Sequence, residues 1–406
     1  MFPNPAAYLA LSLVVAVGAP STLPEKWAID TGAPIHAPAA VDGDRVFVGN
    51  QAGRLTAVEI DTGEVAWTFQ AGGALDGQAA VGGDALFVQS RSGHLHAIAR
   101  ADGRELWRSG TDEAGAHDSW DFTLAAPVLH RDTVVVGTSG GLRVYDRRTG
   151  TPLWQLQTQR PVRGTPALAE DIAYFGSFDG RVTAVDLVRR ETLWQFKTLG
   201  SHYFPDGAVQ GGPAMEGGLV HVGSRDYNLY VLDRATGRVM WNLRTPSWVI
   251  GAPAIDAHRV YFGTSDSHRV YALDRQTGEP AWTFDTASRV FASPVLHGGI
   301  AYVASFDGRI QGLDAASGEL RRAYRTRGGV RNHALVYGED GALAEEFQAL
   351  RRDGDHQEAE RRILQLGSVI SAPALAGDTL VFGSTDGHLY ALDLAAEAGA
   401  GQPAGP

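Results

Sequence analysis

The chain has 406 residues, among them 50 Gly, 19 Pro and 9 Trp, with 44% apolar residues and a formal net charge of −11. That apolar share can fill a core, the abundant turn formers favour short strands over long helices, and an acidic balance without any basic run offers no landing surface to nucleic acid. With no Cys in the chain, disulfides, thiolate metal sites, thiol catalysis and a lipid-bearing cysteine have no residue to use.

The first feature is the uncharged apolar run "AAYLALSLVVAVGA" at residues 6 to 19. It predicts a signal peptide or apolar leader over residues 1 to 22 and an exported protein, periplasmic or extracellular. No Lys or Arg precedes the run and Pro20 follows it. The alternative is an anchor formed by an uncleaved N-terminal segment, since the run is near the shortest that spans a bilayer.

A repeat follows. "TAVEIDTGEVAW" ends at Trp67, and similar text ends at Trp107, Trp154, Trp194, Trp241 and Trp282, these Trp lying 40 to 47 residues apart. One unit, "SPVLHGGIAYVASFDGRIQGLDAASGEL" at residues 293 to 320, contains three apolar runs broken by turn residues. With the Trp strand that follows, it reads as a four-stranded antiparallel meander, one propeller blade. Units begin near Ala37, Gly77, Ala125, Gly164, Gly211, Gly251, Ala292 and Ser371. The last runs out at Leu394 without a Trp strand, while Trp27 in "EKWAIDTG" stands 40 residues ahead of Trp67. The reading is an all-β fold, an eight-bladed β-propeller of four-stranded antiparallel blades over residues 25 to 394. The N-terminal strand closes its last blade, and residues 395 to 406 form a disordered tail.

The Thr-Gly pairs before these Trp suit turns that need φ > 0. Each Trp ring can then cover the bare glycine backbone of a neighbouring blade, which makes Trp27, Trp67, Trp107, Trp154, Trp194, Trp241 and Trp282 the expected blade-docking residues. Blade 4 departs with Arg189 and Arg190 in place of Thr-Gly. Blade 7 has Arg322 in place of Trp, which predicts a weaker contact there.

In such a blade the turn between the second and third strands, and the link to the next blade, emerge on one face, here termed upper. The two longest links between regular blades carry His117, Asp118, Trp120 and Asp121, and His202, Tyr203, Phe204 and Asp206. His and Asp with aromatics near a channel mouth suit a small polar ligand or a metal, although turn caps and loop anchors explain the same residues. Trp248, Arg289, Arg331 and His333 stand before inner strands and are candidates for the same rim. "GTSGG" at residues 137 to 141 matches a nucleophile-elbow pattern but sits between two strands, which removes its chemistry. His94 and His96 share a strand face at positions where other blades hold Arg, Thr or Tyr, so they read as polar surface.

Residues 327 to 370 interrupt the repeat. Within them "EDGALAEEFQALRRDGDHQEAERRILQLGS" is strongly helical text. Leu343, Phe347 and Leu350 form one apolar stripe, and Ile363, Leu364 and Leu366 another. This predicts a helical hairpin after blade 7, serving as a lid if its stripes pack and as a docking element if they stay exposed.

The A-x-D-x-x-T-G-x-x-x-W text resembles the tryptophan-docking motif of the PQQ-type eight-bladed propellers, a family that includes quinoprotein dehydrogenases and the outer-membrane assembly protein BamB. The resemblance implies the fold strongly and the function weakly, because the motif belongs to the scaffold. Quinoprotein dehydrogenases of this fold carry adjacent cysteines over the cofactor and an acidic calcium site. This chain has no Cys, and only its D-S-W-D and F-P-D-G segments offer acidic ligands. The expectation is therefore a monomeric, non-enzymatic scaffold that presents its upper face to a protein or peptide partner. It has no catalytic set, no cofactor, no nucleic-acid partner and no integral membrane domain beyond the leader. The alternatives are a small-ligand or metal binder at the channel mouth and, behind it, a PQQ-dependent oxidoreductase.

Overall fold

A computed structural model of the chain describes residues 19–110 and 118–396. The leader up to residue 18, His117 and the tail from residue 397 lie outside the described residues. Eight antiparallel sheets follow one another around a ring, and blade 1 shows the plan with strands Ala40–Asp42, Arg45–Gly49, Arg54–Glu59 and Val65–Gln70. Second and third strands such as "RVFVG" and "RLTAVE" are almost wholly buried. Each blade is sandwiched between two others, so its middle strands need apolar residues on both faces. Outer strands alternate exposed and covered positions, the pattern of a sheet with one face toward solvent.

The eighth sheet is completed by Glu25–Asp30, which pairs antiparallel with His388–Asp393 and sets Trp27 opposite Ala391. Blade 7 gains a strand that the repeat did not announce. Ser21–Thr22 runs parallel to its outer strand, Ser21 opposite Arg322. Links are tied to the blade they leave by a recurring bond: the N–H of Leu75, Val162, Val209, Val249 and Val290 reaches the carbonyl of Asn50, Thr138, Ser177, Ser224 and Thr264. Among the described residues no helix is long and apolar enough to cross a membrane.

Six of the Trp rings, at positions 27, 67, 107, 194, 241 and 282, lie against glycines of the following blade. A Cβ added at Gly103 would fall 2.5 Å from Trp67 Cε3. The indole Nε1 of Trp27, Trp67, Trp107, Trp194 and Trp282 donates to the carbonyl three residues before that glycine position, at 2.7 to 3.1 Å. Trp27 and Trp67 are buried, and the other five docking Trp are half-buried because their outer faces see solvent. Blade 7, where a weaker contact was expected, keeps a bond of the same kind. Arg322 Nη1 donates to Leu394 O at 2.6 Å, the equivalent carbonyl of blade 8, so a guanidinium serves where an indole does elsewhere.

The insertion after blade 7 contains α1 (Arg327–Arg331), α2 (Glu345–Arg352) and α3 (His356–Leu364). Phe347 and Ala359 are buried with Val336, Tyr337 and Leu366, with Leu343 and Leu350 partly covered beside them. Ile363 also packs against the aromatic group above the channel. The stripes are therefore spent on each other and on the disc. Thr326 caps α1, which the Gly-Gly text concealed, and the Asp386 carboxylate of blade 8 accepts from Gly328 N at 2.9 Å.

Candidate functional site

The repeat delivers one side chain per blade to the upper mouth of the channel, at the position just before the small residue that opens each inner strand. These are His36, Asp76, Leu124, Arg163, Gln210, Ile250, Phe291 and Ile370. The ring is polar on one arc and apolar on the other. Beneath it the channel holds a cavity of about 270 Å³, lined among others by Arg163, Gln210 and Phe291. A second contribution comes from the Ser-x-Asp-Gly type turns, whose variable residue brings Phe178, Arg225 and Phe306 inward and buries them.

The long link after blade 2 folds over this ring. Asp121 is buried and accepts from Arg163 Nε at 2.9 Å, both side chains almost wholly out of solvent. Asp118 accepts from both terminal nitrogens of Arg225, whose Nε donates to Gln210 Oε1 at 2.9 Å, and Gln210 Nε2 donates to Trp120 O at 2.8 Å. Arg91 donates to Asp121 O at 2.7 Å and pairs with Asp76. Burial lowers the His36 imidazole from its ordinary value against the pull of Asp76, so this ring stays neutral near pH 7.

Over the apolar arc lies an aromatic plug. Trp248 meets Phe204 at 4.8 Å and Trp120 at 6.4 Å, and Phe122 sits 5.8 Å from Phe306, which is 4.7 Å from Phe291. Arg225 stacks over Trp248 at 4.8 Å and Arg289 over Trp120 at 4.3 Å. Arg289 also joins the insertion, Nη1 donating to Glu360 Oε2 at 2.9 Å.

Of the residues singled out in the sequence, Asp118, Trp120, Asp121, Phe204, Trp248 and Arg289 are brought together, as a structural seal. The others stand apart. His202 and Asp206 are exposed, and Tyr203 is 76% exposed. Arg331 is exposed on α1, while His333 stacks on Tyr337 at 5.1 Å, away from the channel. His117 lies outside the described residues. A metal or a quinone with its calcium finds a poor donor set here: the Asp118 and Asp121 carboxylates are taken by Arg225 and Arg163, and Asp206 is exposed. Among the described residues no group of three or more His, Asp or Glu is placed to hold a metal ion. His96, read as exposed surface, is instead buried and bonds Glu105 at 2.7 Å.

Arg163, Gln210, Arg225, Phe291 and Phe306 were not singled out. The signal existed: aligning "VRG", "VQG", "VIG" and "VFA" shows one variable position flanked by constant ones, the mark of side chains freed from scaffold duty.

A family profile described as outer membrane protein assembly factor BamB matches residues 13–202 and 178–399. The chain is similar to the serine/threonine-protein kinase AfsK of Streptomyces griseus, 30% identical over 152 residues, 36% of this chain and 18% of the kinase. It is likewise similar to BamB of Shewanella oneidensis, 31% identical over 135 residues, 31% of this chain and 34% of that protein. The matched stretches thus span about a third or less of these curated relatives. In structure it resembles BamB of Moraxella catarrhalis with a TM-score of 0.69 at 20% identity, covering 93% of this chain and 99% of the other. At that identity the likeness speaks for the fold.

Proposed function

Because the chain belongs to the family described as outer membrane protein assembly factor BamB, we propose that it is a non-enzymatic binding propeller whose upper face receives a partner protein or extended peptide. One observation carries this. The three most exposed large apolar side chains among the described residues, Leu199 at 78%, Tyr203 at 76% and Val330 at 66%, all stand in upper-face links, while the channel mouth between them is sealed. Apolar groups held in solvent around a closed centre suit contact with another polypeptide better than capture of a cofactor. The apolar run at residues 6–19 supports placing this function in the periplasm or outside the cell.

The test is in-cell crosslinking in the native host followed by purification of the wild-type protein and of a Leu199→Ser, Tyr203→Ser double variant. Both positions are exposed, so the variant should melt as the wild type does. A partner recovered in stoichiometric amount with the wild type and lost with the variant is the expected outcome. Equal recovery with both would move the interface off this rim, and recovery with neither would remove the scaffold reading.

A further inference from the structure

The helical insertion encloses a cavity of about 230 Å³ against blades 6 and 7. Leu343, Phe347 and Ile363 give it an apolar wall, and Tyr337, His268 and Glu360 face them. Two features mark its wall.

The first is a carboxylate with an unanswered oxygen. Glu360 Oε2 accepts from Arg289, but Oε1 is buried and meets no donor of the protein among the described residues. Arg289 is already shared with Asp266 at 3.3 Å, so one guanidinium serves two carboxylates. Burial raises the Glu360 carboxyl, with Arg289 opposing, as befits an anion short of partners.

The second is the backbone of His268. It holds φ +48° at the residue before the third strand of blade 6, where blades 1, 2, 4, 7 and 8 place Gly53, Gly93, Gly180, Gly308 and Gly387. A residue with a side chain is disfavoured in that conformation, but blade 5 holds Tyr227 at φ +74° in the same place, so the conformation belongs to the turn of the repeat. Here it sets an imidazole in the cavity wall where a glycine would set nothing.

We propose that this cavity is a binding site for a small primary amine, its ammonium donating to Glu360 Oε1 and its apolar body lying on Leu343, Phe347 and Ile363. Arg351 lies at the rim, but it is exposed and its repulsion is screened, whereas the Glu360 side chain is half-buried with its Oε1 out of solvent and acts through a lower dielectric. At a water's share of about 30 Å³ per heavy atom, the space takes roughly eight non-hydrogen atoms. Benzylammonium has that size.

Ligand-observed NMR titration of the full chain with benzylamine, benzyl alcohol and phenylacetate at neutral pH tests this. Benzylammonium should bind at least about tenfold more tightly than the alcohol, with phenylacetate weakest. Glu360→Gln should abolish the preference, and a melting temperature within a few degrees of the wild type shows that the insertion is still seated. Arg351→Gln, at an exposed position, should leave benzylammonium bound as tightly or more so. The proposal is overturned if phenylacetate binds as well as the amine, if Glu360→Gln keeps the preference, or if no probe binds at millimolar concentration.

Discussion

Arg190 holds φ +61° at the turn position where blades 1, 2, 3, 5, 6 and 7 have Gly63, Gly103, Gly150, Gly237, Gly278 and Gly318. Its side chain is exposed, so little offsets the strain. Arg190→Gly should stabilise the protein by about 0.5 to 1 kcal/mol, the relief of a left-handed residue less the entropy of a new glycine. A higher urea midpoint at unchanged slope would show it, and a lower midpoint would mean that the guanidinium holds something. The departure was legible in the sequence, but not that the turn would keep its geometry and bear the strain. His221 differs. It is fully buried in the second strand of blade 5, opposite Ala214, where blades 1, 2, 4, 6 and 7 place Phe47, Phe87, Tyr174, Tyr261 and Tyr302. Burial lowers its pKa to about 4, so above the unfolded value near 6.5 it takes nothing from stability. Below that the unfolded chain binds a proton which the native state refuses, and stability falls until about pH 4. The loss should approach roughly 3 kcal/mol. His221→Phe should flatten that part of the pH profile, and an unchanged profile would assign the acid sensitivity to other groups.

At the scale of elements the insertion shows what composition can and cannot convey. Helix formers and apolar stripes identified α2 and α3, whereas α1 is built on "RGGVR", a poor helix sequence held by the local Thr326 cap and by a tertiary bond to Asp386. Whether the hairpin lies down was not legible either, because that depends on Ile363 meeting the aromatic plug and on Arg289 bridging Trp120 and Glu360. Arg289→Ala should therefore loosen the hairpin without unfolding the disc, removing a charged bond worth roughly 1.5 to 3 kcal/mol. Amide exchange in residues 345–366 should speed up while the middle strands of the blades stay protected. Equal acceleration in both would show that the insertion and the propeller open as one unit.

For the whole molecule the ring was readable because its eight units are copies, and the strand missing from the last copy stands at the other end of the chain. The mouth was not, because neither its seal nor its exposed rim is a property of any one copy. His202, Asp206 and Asp121 are neighbours of aromatics in the sequence, yet Asp121 is drawn into the ring by Arg163 on blade 4 while the other two stay in solvent. Closure itself can be tested by two deletions of unequal weight. Removing Glu25–Asp30 takes away Trp27, which bonds Ile60 O of blade 1 at 2.7 Å, and bares the edge of His388–Asp393. The indole alone is worth about 3 to 5 kcal/mol when well buried, and the lost strand pairing adds to it. That is a large part of the roughly 5 to 15 kcal/mol that holds a typical domain. Replacing Ser21 and Thr22 by prolines removes only a two-residue parallel pairing at the edge of blade 7 and should lower the melting temperature by far less. Calorimetry on both variants decides the matter. A large loss from the first and a small one from the second is the signature of a ring held shut by its N-terminal strand; equal losses would mean that neighbouring blades, not closure, carry the cooperativity.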